Sequence, residues 1–424
     1  MTWAEESPPL WKNRWVQLTL SALATVMLAS LQYGWTLFVN PIHDANGWSR
    51  ATIQVAFTIL ISVNTWLSPF EGWLVDRYGP RPVVMVGGVC AAISWVIDSR
   101  AHSLPVLYAA AVVGGLALGC VFGTCMGTAL KWFPDRRGLA AGTIAAGYGL
   151  GAALMTVPIA HMIRSSGYRQ TFFTFGLVQG AVIFLLGIVL VKPSLAASLA
   201  KPRAAICEGP ELKPSQTIRT GVFWLTYLVY LLIAFGGMVM TAQLGPISRD
   251  FGLENHLVTL FGISAPVLTM AVSIDNFANG ITRPISGFVS DIIGRENMML
   301  LMFSLEAIAL AGMAIAGRSP YGFLAFAGLT FLFWGEIFVI FPAIAGDSFG
   351  VRNAAANNGL LYTAKGTSSL TVPLASLVVS ATGTWNTVLI AAAVSSLVAG
   401  LLARFVLTGM RRRMRQTQVQ TSQA

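Results

Sequence analysis

Along the chain, apolar stretches of about 20 residues alternate with short polar or charged turns. Twelve such runs lie near 15–39, 51–73, 82–98, 105–131, 138–163, 171–191, 220–244, 265–289, 298–316, 321–344, 354–380 and 385–407. A helix of about 20 apolar residues spans the hydrocarbon core of a bilayer. The pattern therefore predicts an all-α membrane protein with twelve transmembrane helices. Composition agrees, because 55% of the residues are hydrophobic and only 10% are charged, against about 25% charged in soluble proteins.

The interruptions inside the runs carry the candidate chemistry. Asp275 and Arg283 sit in the eighth run, Glu306 in the ninth, Glu336 in the tenth and Lys365 in the eleventh, while Glu71 ends the second. A charge at the centre of a membrane helix costs about 2.5–3.5 kcal/mol on insertion scales, so it needs a partner, a watery cavity or a function. Arg283 is read as an anion holder, the alternative being a structural cation paired with a carboxylate of a neighbouring helix. Asp275 is too far along the axis to meet Arg283, since eight residues of helix are about 12 Å, and must find its partner elsewhere. Glu336 is expected either to pair with Lys365 or Arg283 or to exchange a proton. Glu306 and Glu71 are expected to be peripheral or gating charges.

An internal repeat organises the whole. Gly72–Arg81 (GWLVDRYGPR), after the second run, recurs as Gly287–Arg295 (GFVSDIIGR) after the eighth, and Thr156-Val157-Pro158 recurs as Thr371-Val372-Pro373. The expected architecture is two parallel six-helix bundles, residues 1–191 and 220–410, joined by a linker over 192–219 that is rich in Pro and basic residues, with a tail over 411–424. Asp76, Arg77, Arg81, Asp291 and Arg295 of the repeated turn are gating candidates. No cation in the first half stands opposite Arg283 or Lys365. A scaffold requirement common to both halves would put one in each, so the asymmetry favours a role in function.

The net charge of +10 raises nucleic-acid binding as a possibility, which the placement of the 27 Lys and Arg residues argues against. With both termini in the cytoplasm, the inner loops and tails hold nineteen, the outer loops six, and two lie in the membrane. That is the positive-inside distribution. The first run lacks the cleavage pattern of a removed signal and is expected to remain as a helix. Cys90, Cys120, Cys125 and Cys207 show no spacing suited to a disulfide framework or zinc, and no cofactor is expected. Gly346–Gly350 fits Gly-x-Ser-x-Gly, but that motif needs a strand-to-helix elbow with acid and base partners, so a hydrolase is not expected. The four-residue spacing of Gly115, Gly119, Gly123 and Gly127 reads as a packing ridge.

The Gly-x-x-x-Asp-Arg-x-Gly-x-Arg turn and its second copy resemble the signature loop of the major facilitator superfamily, and the twelve runs and central linker extend the resemblance over the whole chain. Within it, residues 13–18 (NRWVQL), 31–41 (LQYGWTLFVNP), 131–142 (KWFPDRRGLAAG), 145–151 (AAGYGLG), 279–295 (NGITRPISGFVSDIIGR) and 363–369 (TAKGTSS) look like the bacterial oxalate:formate antiporter family. That resemblance implies that Arg283 and Lys365 bind the anion, walled by Tyr33, Phe122, Tyr148, Trp334, Phe338 and Tyr362, with Gln32 beside them. Two departures matter: Phe122 and Phe338 stand where tyrosine is expected, and Asp275 and Glu336 stand at positions expected to be uncharged. Two added carboxylates can neutralise two cations. The expectation is therefore a monomeric inner-membrane carrier of small carboxylates working by alternating access, by proton-coupled monocarboxylate uptake with Asp275 and Glu336 as proton carriers. Oxalate/formate-type exchange is the alternative. A more distant similarity to monocarboxylate transporters rests on the eighth-run arginine, but their acidic residue four positions earlier is Asn279 here.

Overall fold

The computed structural model describes residues 13–133, 136–192, 211–254, 256–260, 262–350 and 353–423. Nearly all of them are helical, and eight helices are long and apolar enough to cross a membrane. One of these runs from Leu139 to Val189, 51 residues. At 1.5 Å per residue it would measure about 76 Å if straight, more than twice the hydrocarbon thickness. It is bent at Gly167, whose φ of 80° no helix accommodates. The Val267–Ile293 helix, which carries Asp275, Asn276, Asn279 and Arg283, is long enough but is not among the eight, and neither are the shorter Arg50–Trp66 and Ala354–Ser368 helices. Hydropathy is diluted where polar residues gather. Most of the linker, with Cys207, lies outside the described residues, and Leu212 at its far end bonds back to Phe349 and accepts from Asn353 and Asn357.

Several helices break at mid-length, which the run pattern does not reveal. The first is interrupted at Ala29 and again at Gly34-Trp35, the tenth at Gly335-Glu336 between Pro320–Trp334 and Ile337–Phe349, and the eleventh at Ser369-Leu370 between Ala354–Ser368 and Thr371–Thr382. Pro373 explains the last, because a proline ring clashes with the carbonyl four residues earlier, here Ser369. A π-helical turn over Gly119–Gly123 widens the fourth helix. A short hairpin, Leu257–Leu260 paired with Ile263–Pro266, was not anticipated; it turns at Gly262, with φ at 79°. These residues fall largely in the gap between the seventh and eighth runs.

The repeated turn keeps one backbone conformation in both copies. Gly79 (φ 86°, ψ 173°) and Gly294 (φ 91°, ψ 148°) are helix-ending glycines in a region that side chains with a Cβ rarely enter. In the second copy Arg295 pairs with Asp291 at 2.5 Å and Asp347 at 3.5 Å. In the first copy Arg77 lies over the Tyr78 ring and Arg81 is exposed, while the Asp76 side chain lies outside the described ones.

At the hairpin end, residues from before and after the linker are tied together. Arg249 grips Asp44 with both terminal nitrogens, at 2.5 and 2.7 Å, and reaches Glu254 at 2.8 Å. Arg50 meets Asp250 at 2.6 Å, and Asn40 donates to the Gly245 carbonyl. Arg249 holds the Asp44 carboxyl below its ordinary range. A depressed carboxyl pKa stabilises the closed contact above the unpaired value of about 3.9 and loses that contribution as pH falls through the lowered one. These pairs are solvent-exposed and each is worth about 1 kcal/mol or less. Asp44→Asn is therefore expected to destabilise the protein by about 1 kcal/mol or less, read from melting in detergent at neutral pH, and acidifying the parent below about pH 4 should remove the same contribution.

Candidate functional site

The two membrane cations converge on one aromatic ring. Arg283, on the Val267–Ile293 helix, places its guanidinium carbon 4.3 Å from the centroid of Phe338, and Lys365, in the last turn of Ala354–Ser368, places Nζ 5.2 Å from the same centroid. Both side chains are 1% exposed. The helix breaks put them there. The tenth helix is interrupted just before Phe338, where Gly335 packs against Asn279 and Thr282 so closely that a Cβ would sit 2.3 Å from Thr282 Cγ2. Gly149 meets Gly280 in the same way, with 2.9 Å from an added Cβ to the Gly280 Cα, which brings the Leu139–Val189 helix onto the arginine helix.

Every hydrogen-bond partner of the two cations is neutral. Arg283 donates through Nε and Nη2 to Asn279 Oδ1 (3.2 and 3.1 Å), through Nη1 to the Ala145 carbonyl (3.0 Å) and through Nη2 to the Tyr33 hydroxyl (3.4 Å). Lys365 donates to the Tyr362 hydroxyl (3.1 Å) and to Gln32 Oε1 (3.4 Å), which also accepts from the Tyr148 hydroxyl (3.2 Å). Among the described residues no carboxylate pairs with either cation. Such partners satisfy the N–H groups and leave two positive charges uncompensated. The cavity between them is lined by Asn64, Leu118, Phe122, Tyr148, Phe338 and Tyr362 with the two cations, and has room for about one water molecule. Phe122 stacks obliquely on Tyr148 at 5.0 Å, and Tyr33 meets Tyr148 edge-on at 5.3 Å.

Most of the predicted residues meet here, and the exceptions are informative. Gln32 and Tyr33 touch the cations from outside the cavity wall. Trp334 stands behind Phe338, edge-on at 5.5 Å, and fills a slot over Gly237, so it backs the wall without forming it. Glu336 does not pair with Lys365 or Arg283: both its oxygens are buried without a hydrogen-bond partner, and two positions before Phe338 it lies on the opposite side of the helix from the ring that faces the cations. Asp275 finds no partner either, and lines a second small cavity on the far side of Tyr33. Glu306, expected at the periphery, is fully buried beside Gly236 and close enough to Glu336 to act on it electrostatically. Glu71 is also buried, seated on Gly119 of the π-turn. Asn279 and Asn64 were missed. Asn279 was legible, since a residue four before Arg283 shares its helix face; Asn64 carries no such signal.

The family model described as Major Facilitator Superfamily matches this chain twice, over residues 22–265 and 253–422. The chain is 35% identical over 408 residues to the oxalate:formate antiporter of Oxalobacter formigenes, covering 96% of this chain and 94% of the relative. It is 29% identical over 334 residues to an uncharacterized 38 kDa protein in the 23S RNA operon of Thermoproteus tenax, covering 79% and 80%. An uncharacterized MFS-type transporter of Escherichia coli strain K12, YhjX, is 25% identical over 366 residues, covering 85% and 86%.

Breaking a buried ion pair by removing one charge costs about 3–5 kcal/mol. Because Glu336 has no such partner, Glu336→Gln is expected to change thermal stability by less than about 1 kcal/mol, measured by melting in detergent; a loss in the ion-pair range would refute this placement.

Proposed function

The chain belongs to the Major Facilitator Superfamily, and on that premise we propose that it carries small carboxylate anions across the membrane by alternating access, in the manner of an exchanger. The supporting observation is the pair Arg283 and Lys365 facing one cavity with neutral partners only. A site holding two uncompensated charges favours a dianion. An anion entering between them makes charge-assisted bonds to both, with the carboxylate plane against the guanidinium fork and the second charge on the ammonium. Phe338 keeps the two cations on one wall, and the aromatic rings exclude water around the bound anion. The name of the relative from Oxalobacter formigenes supports oxalate and formate as the first substrates to try. With twelve spans in two six-helix bundles, the halves would rock about this site, with the hairpin-end ion pairs closing one mouth. The excess of Lys and Arg on the opposite loops supports cytoplasmic termini in a bacterial inner membrane.

The second reading, proton-coupled monocarboxylate uptake, rested on Asp275 and Glu336 neutralising the two cations. Neither reaches them, which weakens it. The readings part in proteoliposomes. An exchanger takes up labelled oxalate only when loaded with oxalate or formate, whereas a symporter fills empty vesicles down a pH gradient.

Arg283→Lys keeps the charge and loses the fork. It is expected to lower the rate of oxalate exchange at least tenfold, the loss of about one good charge-assisted hydrogen bond. Wild-type exchange by that variant would defeat the assignment.

A further inference from the structure

On the far side of Tyr33 from the anion site lies a second cavity, walled by Tyr33 and Thr36 from before the linker and by Thr241, Asp275, Asn276 and Phe331 from after it. Its unsatisfied polar atoms are acceptors. Both carboxylate oxygens of Asp275 and the Oδ1 of Asn276 are buried with no hydrogen-bond partner, the two side chains being 1% and 2% exposed. The Asn276 amide nitrogen is spent on the Val272 carbonyl at 2.7 Å, and the Thr241 hydroxyl donates to the Gly237 carbonyl at 2.6 Å, which leaves its oxygen lone pairs free to accept. Thr36 already accepts from the Gly245 amide. Among the described residues no charged side chain pairs with Asp275. The titratable groups nearest the cavity are Tyr33, on the wall between the two sites, and Arg283 on the same helix; residues 240–244 and 324–333 bring none.

Unpartnered oxygens around one carboxylate are the donor set of a small hard cation. We infer that Asp275 and Asn276 form a binding site for a small monovalent cation, an alkali ion or a proton, that is loaded together with the anion. The inference rests on the carboxylate-carrier reading for its coupling, but the site itself stands on the second cavity. Eight residues of helix put Asp275 about 12 Å from Arg283. At that distance and an effective dielectric near 20, one unit charge changes the affinity for another about tenfold. With the anion site empty, Arg283 and Lys365 repel a cation at Asp275; a bound anion removes the repulsion. By reciprocity the cation strengthens anion binding by the same factor. A dianion carried with one cation and a monoanion carried alone both move a single negative charge, so exchange of the two would be electroneutral. Because the wall combines residues from before and after the linker, cation binding also favours the state in which the hairpin end is shut.

The test is oxalate binding to the purified full-length protein by calorimetry, in sodium against choline and at pH 6 against pH 8. Wild type is expected to bind about tenfold more tightly with sodium or at the lower pH, and Asp275→Asn to bind oxalate with no such dependence. A sodium response with a flat pH response identifies an alkali ion, and the reverse identifies a proton. Tyr33 and Lys365 remain in the variant, so a dependence arising from them would persist there and overturn the inference. An insensitive wild type overturns it as well. If wild type binds no carboxylate, the carrier reading fails on its own, and the cation site is read from the melting temperature. Sodium or acid should then raise it in wild type but not in Asp275→Asn; equal shifts in both, or none, overturn the site. Asn276→Leu, which removes an acceptor that bonds to nothing, serves if Asp275→Asn does not fold, with a weakened dependence expected and an unchanged one counting against the site.

Discussion

Two like charges held against one phenyl ring, with no carboxylate in reach, are the constraint from which the rest of this structure follows. Arg283 and Lys365 lie close enough to act on one another, and Phe338 offers its face to both. A cation over a desolvated ring gains about 2 kcal/mol, and a hydrogen bond from a charged group gains about 1.5–3. Those terms pay for desolvating the N–H groups. They do nothing for the repulsion between two positive charges, which an anion between them, as proposed, would relieve.

The surrounding irregularities serve that arrangement. The breaks at Gly34-Trp35, Gly335-Glu336 and Ser369-Leu370 lie within a few residues of Gln32, Phe338 and Lys365, of which Phe338 and Lys365 line the cavity and Gln32 meets the Lys365 ammonium from behind its wall. Interrupted helices at mid-membrane are where carriers keep their binding sites, because freed backbone groups are tolerated only beside a cavity. The cavity is barely larger than a water molecule, so an anion larger than water needs the walls to part, and the walls come from both halves of the chain. On the proposed reading, opening the site would require the halves to move.

Much of this was legible beforehand, because intramembrane charge is rare enough to stand out in a run of apolar residues. Arg283, Lys365 and the aromatic set were found that way or through the resemblance; the two cations share a cavity with Phe122, Tyr148, Phe338 and Tyr362, while Tyr33 and Trp334 stand behind its wall. That the buried carboxylates Asp275 and Glu336 stand without partners was not legible. Glu336 and Lys365 lie on adjacent runs, and nothing in their spacing reveals that the two do not face one another. Of the two readings of Glu306, peripheral or gating, burial excludes the first, and this was not legible because burial depends on which face of a helix meets its neighbours. The hairpin was hidden in a loop whose few residues are too short to show a period.

The claim that the two cations form one anion site is tested most directly by the dissociation constant for oxalate measured by calorimetry on the wild type and on Lys365→Met, a change of charge at nearly constant length. The account predicts that the variant binds at least tenfold more weakly and prefers a monoanion to a dianion. Undiminished oxalate binding, with the same preference, would contradict it.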